Sequence, residues 1–498
     1  MDEAPRFEAN RLKLCAITLA VSALALVLRL HALGRESLWL DEGFTWERSS
    51  LPLPELFQHA IRGHHNPTYF VLVHYWLGMV GDDEFQLRLP SAVAGAFSAG
   101  ACVWLGYALH GLAAGFVAGF VLALAPLQVQ YGQEARMYSL LCFTATTAMI
   151  GIVWLLRNPA RAAVPILGTG RWWRSSHPTG LQPASGAWSA YILGTIGSLY
   201  MHNTTVVFAA SAALAVILGI IGLGSAARRI FLNFVAASLI VLLVWGLYLS
   251  TELQQAKTFA SAAFWAKFPT GRELVIHARE LFLMTARLHE PLAWLLMLAF
   301  VLGLWELRRN LRVALTMLVL CLVGPALLLL VSLYKPIFGT RMLLWAAAPF
   351  SAVVGAGVAS LRHVAAPLVF AIAVAALGGP TLAQQYAHID KEPWREVVKT
   401  IEAHARPQAL AVPASGEEAL MLRYYQRRRS YPLGTVRSAA AKRGTLPTEA
   451  RDAPQLFLMD RKKGRRTARP LRELTRRGYT THVREFRNLR LFELTRPP

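Results

Sequence analysis

Cysteine is scarce in this chain and badly placed for cross-linking. The 498 residues hold four, Cys15, Cys102, Cys142 and Cys321, each inside an apolar run. Its polar segments therefore have no disulfide framework, and no paired-thiol metal spacing occurs. Charge is sparse as well, at 16% of residues, with 29 acids against 51 lysines and arginines and a formal net charge of +22. No glycine-rich nucleotide loop is present. The basic excess sits between apolar runs and in the C-terminal tail. That suits orientation in a membrane and attraction to anionic lipid, and argues against a nucleic-acid partner.

Apolar sequence is what abounds, at 55% of the chain, too much for an ordinary soluble protein of this length. Arg6, Arg11 and Lys13 precede Leu14–Leu28 in the manner of a signal peptide. The run continues to Leu33 with no small-residue cleavage site, so an uncleaved first membrane helix is expected. A bilayer-length template then reads about 11 transmembrane helices. They are Leu14–Leu33, Leu89–Leu109, Leu112–Gln128, Met137–Leu156, Trp188–Met201, Val206–Leu223, Ile230–Leu249, Leu292–Leu307, Val313–Leu333, Met342–Leu361 and Val364–Leu382. No internal repeat is visible.

Charge orients these spans. With a cytoplasmic N-terminus, the cytoplasmic loops carry Arg157, Arg161, Arg171, Arg174, Arg228, Arg229, Arg308, Arg309, Arg312 and Arg362. The first outer loop, 34–88, has eight acids against four arginines. This is the positive-inside pattern of a multi-pass protein of the cytoplasmic (inner) membrane. An odd number of spans puts the C-terminal domain outside too. Two domains follow: a transmembrane domain, 1–383, and an extracytoplasmic α/β domain, 384–498.

The first outer loop has a surface helix at Pro54–Ile61 and an interfacial helix at Pro67–Val80, whose Tyr69, His74, Tyr75 and Trp76 suit headgroup level. Asp82-Asp83-Glu84 reads as a solvated turn. In the tail, Trp394–Ala405, Glu417–Gln426 and Leu471–Arg477 read as helices. Ala409–Val412, Gln455–Met459, Tyr479–Phe486 and Leu489–Leu494 read as strands, and the basic stretch Arg461–Arg469 as a loop.

Three polar groups fall at outer ends of spans. The first is Asp41-Glu42, between Trp39 and Trp46. The second is Gln133-Glu-Ala-Arg136-Met-Tyr138, and the third runs from Tyr334-Lys335-Pro336 to Thr340-Arg341. His64-His65-Asn66 and His202-Asn203 lie on the same face. A carboxylate beside hydrocarbon costs roughly 2.5–3.5 kcal/mol on insertion scales, so the acidic pair marks a candidate site. A carboxylate can take a proton from an acceptor hydroxyl or amine, while arginine forks onto a departing phosphate.

The order of these motifs resembles a known family. The acidic pair is followed by His65-Asn-Pro-Thr-Tyr69, then Phe85-Gln-Leu-Arg-Leu-Pro-Ser91 and Gln133-x-x-Arg136-x-Tyr138. Pro336 with Arg341 follows, then Lys391-Glu-Pro-Trp-Arg395 at the opening of the tail. The set is similar to the GT-C membrane glycosyltransferases of the protein O-mannosyltransferase and aminoarabinose-transferase type, glycosyltransferase family 39 and its relatives. The resemblance covers about the first 150 residues well and the rest loosely. It implies transfer of a sugar from a polyprenyl-phosphate donor to a lipid, glycan or protein acceptor outside the cytoplasm, with membrane lipid as a second partner.

On that resemblance Asp41 and Glu42 are the catalytic pair, with Asp41 as base or acceptor-orienting group and Glu42 as its support. Arg136 and Arg341 are the donor-phosphate contacts. His65, Asn66, Tyr69, Tyr138 and His202 are substrate-binding candidates. Aminoarabinose transferases carry an acidic-basic pair where this chain has His65-Asn66. No cofactor is certain from the motifs. A divalent metal at His65 and His202 stays open, though two ligands do not define a closed site. Two other classes also stay open: a transporter or flippase for a lipid-linked glycan, and a non-catalytic envelope assembly protein. A transporter would place ionisable residues at mid-bilayer, often in repeated halves, whereas these polar groups stand at span ends.

Overall fold

Apolar runs too long for a soluble core form helices in the computed structural model, which describes residues 3–164, 184–261, 268–285, 290–388, 391–427, 434–435, 446, 448–461 and 467–496. Arg171, Arg174 and the middle of the basic stretch, 462–466, lie outside the described residues. The chain divides into two compact units. The first takes Met1–His31, Pro52–Trp76 and Arg88–Ala387, and the second takes Ala32–Leu51, Leu77–Leu87 and His388–Pro498.

The first unit is helical and its long helices are those of a multi-pass membrane protein. Among the described residues eight helices are long and apolar enough to cross a membrane. The expected count of about 11 was drawn differently along the chain. Glu84–Leu124 is two helices that meet at the non-helical His110 and Gly111, where the two expected spans also meet; Gly111 sits at φ +81°, which favours glycine. Pro291–Tyr334 holds two helices, Pro291–Leu307 and Leu311–Tyr334, joined by a 3₁₀ turn at Arg308–Asn310. The Ser185–Met201 helix has only 17 residues. Helix Ser225–Ser261 overruns the expected end at Leu249 by three turns.

Packing inside this unit relies on small residues, because lipid supplies no hydrophobic drive between helices. A Cβ at Gly303 would run into the carbonyl oxygen of Val353, and one at Gly357 into that of Ala299. Helices Pro291–Leu307 and Ala347–Ser360 therefore meet backbone to backbone. The first helix, Glu3–Leu30 (α1), ends on a buried charge. Arg29 is wholly buried and donates from Nη1 to Ala25 O at 2.9 Å and Ala123 O at 3.3 Å. Both carbonyls lie near helix C-termini, whose partial negative charge suits a cation. Its side chain lies against Gly95 and Gly132, where any Cβ would displace it. Gln133 Nε2 donates to Arg29 O at 3.1 Å and His31 O at 2.7 Å, and Tyr386 caps Leu28 O. The end of α1 thus anchors the loop that leads to Arg136.

The second unit contains the five-stranded sheet of the tail, in the order β2-β1-β3-β5-β4. The strands are β1 Leu410–Pro413, β2 Gly434–Thr435, β3 Gln455–Arg461, β4 Thr480–Glu485 and β5 Leu489–Thr495. β1 pairs parallel with β2 and β3; β3–β5 and β5–β4 are antiparallel. Helices Trp394–His404, Gly416–Gln426 and Ala468–Arg476 fall within a few residues of their expected places. Its core includes Val412, Leu456, Leu458, Leu474, Tyr479, Phe492 and Leu494.

Candidate active site

Two groups of expected site residues emerge, one in each unit. In the first unit, helices Pro126–Gly132 and Tyr138–Arg157 are joined by a tight turn in which Arg136 N donates to Glu134 O at 2.7 Å. The turn is pinned from the helix that begins at Glu84. Ser91 Oγ donates to Arg136 O at 2.8 Å, and Tyr69 OH, 2.8 Å away, donates to Ser91 Oγ, whose own proton is used. This gives Tyr69 a supporting place behind Arg136, and it adds Ser91, which the sequence marks only as the end of the Phe85–Ser91 motif.

Tyr138, 1% exposed, is the platform of this group. The Arg136 guanidinium carbon lies 5.9 Å from its ring centre and that of Arg341 lies 5.7 Å away. Both are within cation–π range. The His202 ring lies 5.8 Å from the same centre, tilted by 38°. Arg136, Arg341, Tyr138 and His202, spread over 206 positions, therefore converge. Arg341 reaches it from a 3₁₀ segment, Thr340–Ala346, held by Gln128 Nε2 on Leu344 O at 2.8 Å and by Trp345 packed on Phe208.

Burial, together with the charges of Arg136 and Arg341, pushes the His202 imidazole down to about 3. At neutral pH it is uncharged, a hydrogen-bonding group; its Nδ1 faces Thr204 N at 3.2 Å and Thr204 Oγ1 at 2.9 Å. The unfolded chain takes up this proton near pH 6.5 and the folded chain only near 3. Stability is therefore lost as pH falls across that window. His202→Asn is expected to flatten this part of the melting-temperature profile between about pH 4 and pH 7; an unchanged profile would refute the assignment.

His65 is placed differently. Its ring stands edge-on to Phe70 at 6.0 Å, and its carbonyl accepts from Tyr248 OH at 3.3 Å. Asn66 is buried and reaches Asn203, next to His202 in the chain. Among the described residues no group of three or more His, Cys, Asp or Glu side chains is placed to hold a metal ion.

In the second unit, Asp41 and Glu42 begin helix Leu40–Ser49 (α2), where acids suit the helix N-terminus. Their environments differ. Asp41 is partly exposed, while Glu42 is wholly buried and accepts from Trp39 N at 3.3 Å and Lys391 Nζ at 3.1 Å. Glu42 therefore fastens α2 to the opening of the tail. Arg395 does the same for the preceding turn, donating to Gly34 O at 3.1 Å and to Glu84 at 2.6 Å. Leu38 N donates to Tyr425 OH at 2.8 Å, and Tyr425 OH to Glu84 at 3.1 Å.

Asp82 and Glu84 are consequently not part of a solvated turn. Asp82 accepts from Trp46 Nε1 at 2.8 Å and pairs with Arg427, partners from remote sequence that no local pattern reveals. Breaking a buried pair costs about 3–5 kcal/mol, because one charge is left uncompensated. Lys391→Met is expected to lower the denaturation midpoint of purified protein by a cost of that order. Lys391→Arg should recover most of it, and equal stability of Met and wild type would refute the clamp.

The class defined by these features is a multi-pass helical membrane protein with a small α/β unit. Its fold is that of GT-C glycosyltransferases. Apo ArnT from Cupriavidus metallidurans aligns over 96% of this chain and 97% of its own, at 13% identity and a TM-score of 0.61. The same protein bound to undecaprenyl phosphate gives 0.57 at 12% identity, with the same coverage. The oligosaccharyltransferase AglB from Archaeoglobus fulgidus, in complex with an inhibitory peptide and a dolichol-phosphate, gives 0.52 at 9% identity, over 89% of this chain and 69% of its own. No protein-family model and no curated protein sequence matches the chain.

Proposed function

We propose that this protein transfers a glycosyl group from a polyprenyl-phosphate-linked donor to an acceptor on the outer side of the cytoplasmic membrane. The carrying observation is the convergence of Arg136, Arg341 and a neutral His202 on the Tyr138 ring. Two guanidiniums at outer ends of spans suit a lipid-linked phosphate, which each can fork onto. The fold shared with ArnT bound to undecaprenyl phosphate supports the same donor class.

In this reading Arg136 and Arg341 hold the phosphate and stabilise the charge that grows on it as the glycosidic bond breaks. His202 donates a hydrogen bond rather than a charge. Asp41 takes the proton of the acceptor hydroxyl or amine, and Glu42 keeps Asp41 oriented through its bonds to Trp39 and Lys391. A single displacement inverts the anomeric carbon. Proteoliposomes supplied with radiolabelled polyprenyl-phosphate sugar test this against the rivals. Label appearing on an acceptor supports transfer. Uptake without transfer supports a transporter, and neither supports an assembly protein.

A further inference from the structure

A second polar cluster of the first unit begins one residue along the chain from His202 and is short of hydrogen-bond donors. Helix Ser225–Ser261 carries Tyr248, Glu252 and Gln255 at i, i+4 and i+7, one face of a helix. Asn66, 1% exposed, directs its Nδ2 at Leu199 O (3.0 Å), Asn203 Oδ1 (3.2 Å) and Glu252 Oε1 (3.2 Å). A carboxamide has two N–H groups for those three oxygens. Its own Oδ1 is buried and accepts no hydrogen bond among the described residues. Turning the amide over would set that oxygen against three others, so its orientation is forced.

Apart from the Trp245 indole N–H, which interacts with Glu252, the donors around the patch are engaged elsewhere. Asn203 Nδ2 donates to Gln255 Oε1 at 2.8 Å, and Gln255 Nε2 to Ile61 O at 3.0 Å and Tyr248 OH at 3.3 Å. Tyr248 OH donates to His65 O at 3.3 Å. Leu199 O lies in the last turn of helix Ser185–Met201, at its partial negative end. Asn66 Oδ1, Glu252, Asn203 Oδ1 and Leu199 O together form an acceptor-rich patch. Buried acceptors are normally satisfied, so a ligand carrying several donors completes it.

We propose that this patch receives the hydroxyl groups of the donor's sugar, with Glu252 and Asn66 as its principal acceptors. The inference rests on the lipid-linked donor reading: His202 belongs to the phosphate group of residues and Asn203, its neighbour, to this one. A half-buried carboxylate beside carboxamide and carbonyl oxygens can accept from adjacent hydroxyls of a pyranose or furanose, which the bare lipid phosphate lacks.

Binding to purified protein in nanodiscs would be measured for undecaprenyl phosphate, its methyl phosphodiester, and undecaprenyl-phosphate-linked glucose, mannose, N-acetylglucosamine and arabinose. The methyl diester carries the same charge as the sugar lipids and serves as their reference. At least one sugar lipid is expected to bind tenfold or more tighter than the methyl diester. Glu252→Gln, which adds two donors to the patch, should erase that gain while binding the methyl diester as wild type does. Glu252→Ala provides a second variant, and melting temperatures verify folding. No gain with any sugar, or a gain that survives both variants, overturns the subsite. So does a gain abolished by EDTA and restored by a divalent cation, which would make Glu252 a metal ligand. If undecaprenyl phosphate fails to bind, or Arg136→Met binds it as wild type does, the donor reading itself falls.

Discussion

Asp41→Asn is expected to lower transfer by at least a hundredfold while the protein inserts and melts as wild type does. General acid–base groups contribute roughly 10²–10⁴-fold, which sets this scale. Asparagine keeps the shape and loses the ability to take a proton. The stability cost should be small, since an acid in an exposed first turn is worth only about 0.3–1 kcal/mol. Glu42→Gln makes the informative contrast. Glu42 is buried on Trp39 N and Lys391 Nζ, so its neutralisation should lower melting temperature and activity together. Steady-state transfer rates and melting curves of the two variants, measured side by side, decide the matter. Near-full activity in the Asp41 variant would sink the proposed role, whatever Glu42 does.

Arg136→Met should cost a hundredfold or more in kcat/KM for the lipid-linked donor, comparable with loss of one charge-stabilising donor at roughly 10²–10³-fold. Arg136→Lys should recover little, because an ammonium is a point charge that neither forks onto phosphate nor stacks on an aromatic face. The fold should survive either change. Ser91 and the Glu134 turn hold the backbone of residue 136, not its side chain. Arg341 is less buried, so its Lys variant should lose less. An Arg136→Lys enzyme with wild-type kinetics would show that the residue supplies only general positive charge.

Much of this arrangement was legible from local pattern. The tail helices and strands follow their periodicity, because one face of each packs on a single core built around Leu456, Leu458 and Leu494. Arg136, Tyr138 and Arg341 stand out as polar groups at span ends and through the resemblance of their motifs to the GT-C family. Glu252 carries no such local mark. It stands beyond the apolar run that ended at Leu249, and only the unbroken helix to Ser261 turns Tyr248, Glu252 and Gln255 into one face. That spacing was in the sequence, but it carries no signal until the helix is known to continue. Asp82 and Glu84 read as a wet turn because their partners, Arg427 and Arg395, come from more than 300 residues away.

Local pattern alone establishes a multi-pass membrane protein with a small α/β tail, since bilayer-length apolar runs and alternating strands are local properties. It also nominated the acidic pair and the two arginines. Where these residues stand, and how deeply, depends on the tertiary structure. It buried Glu42 on Lys391 and left Asp41 partly open, and it brought Arg136, Arg341 and His202 to one ring. Charge cost depends on burial and partners, and both are set by contacts between segments far apart in the chain.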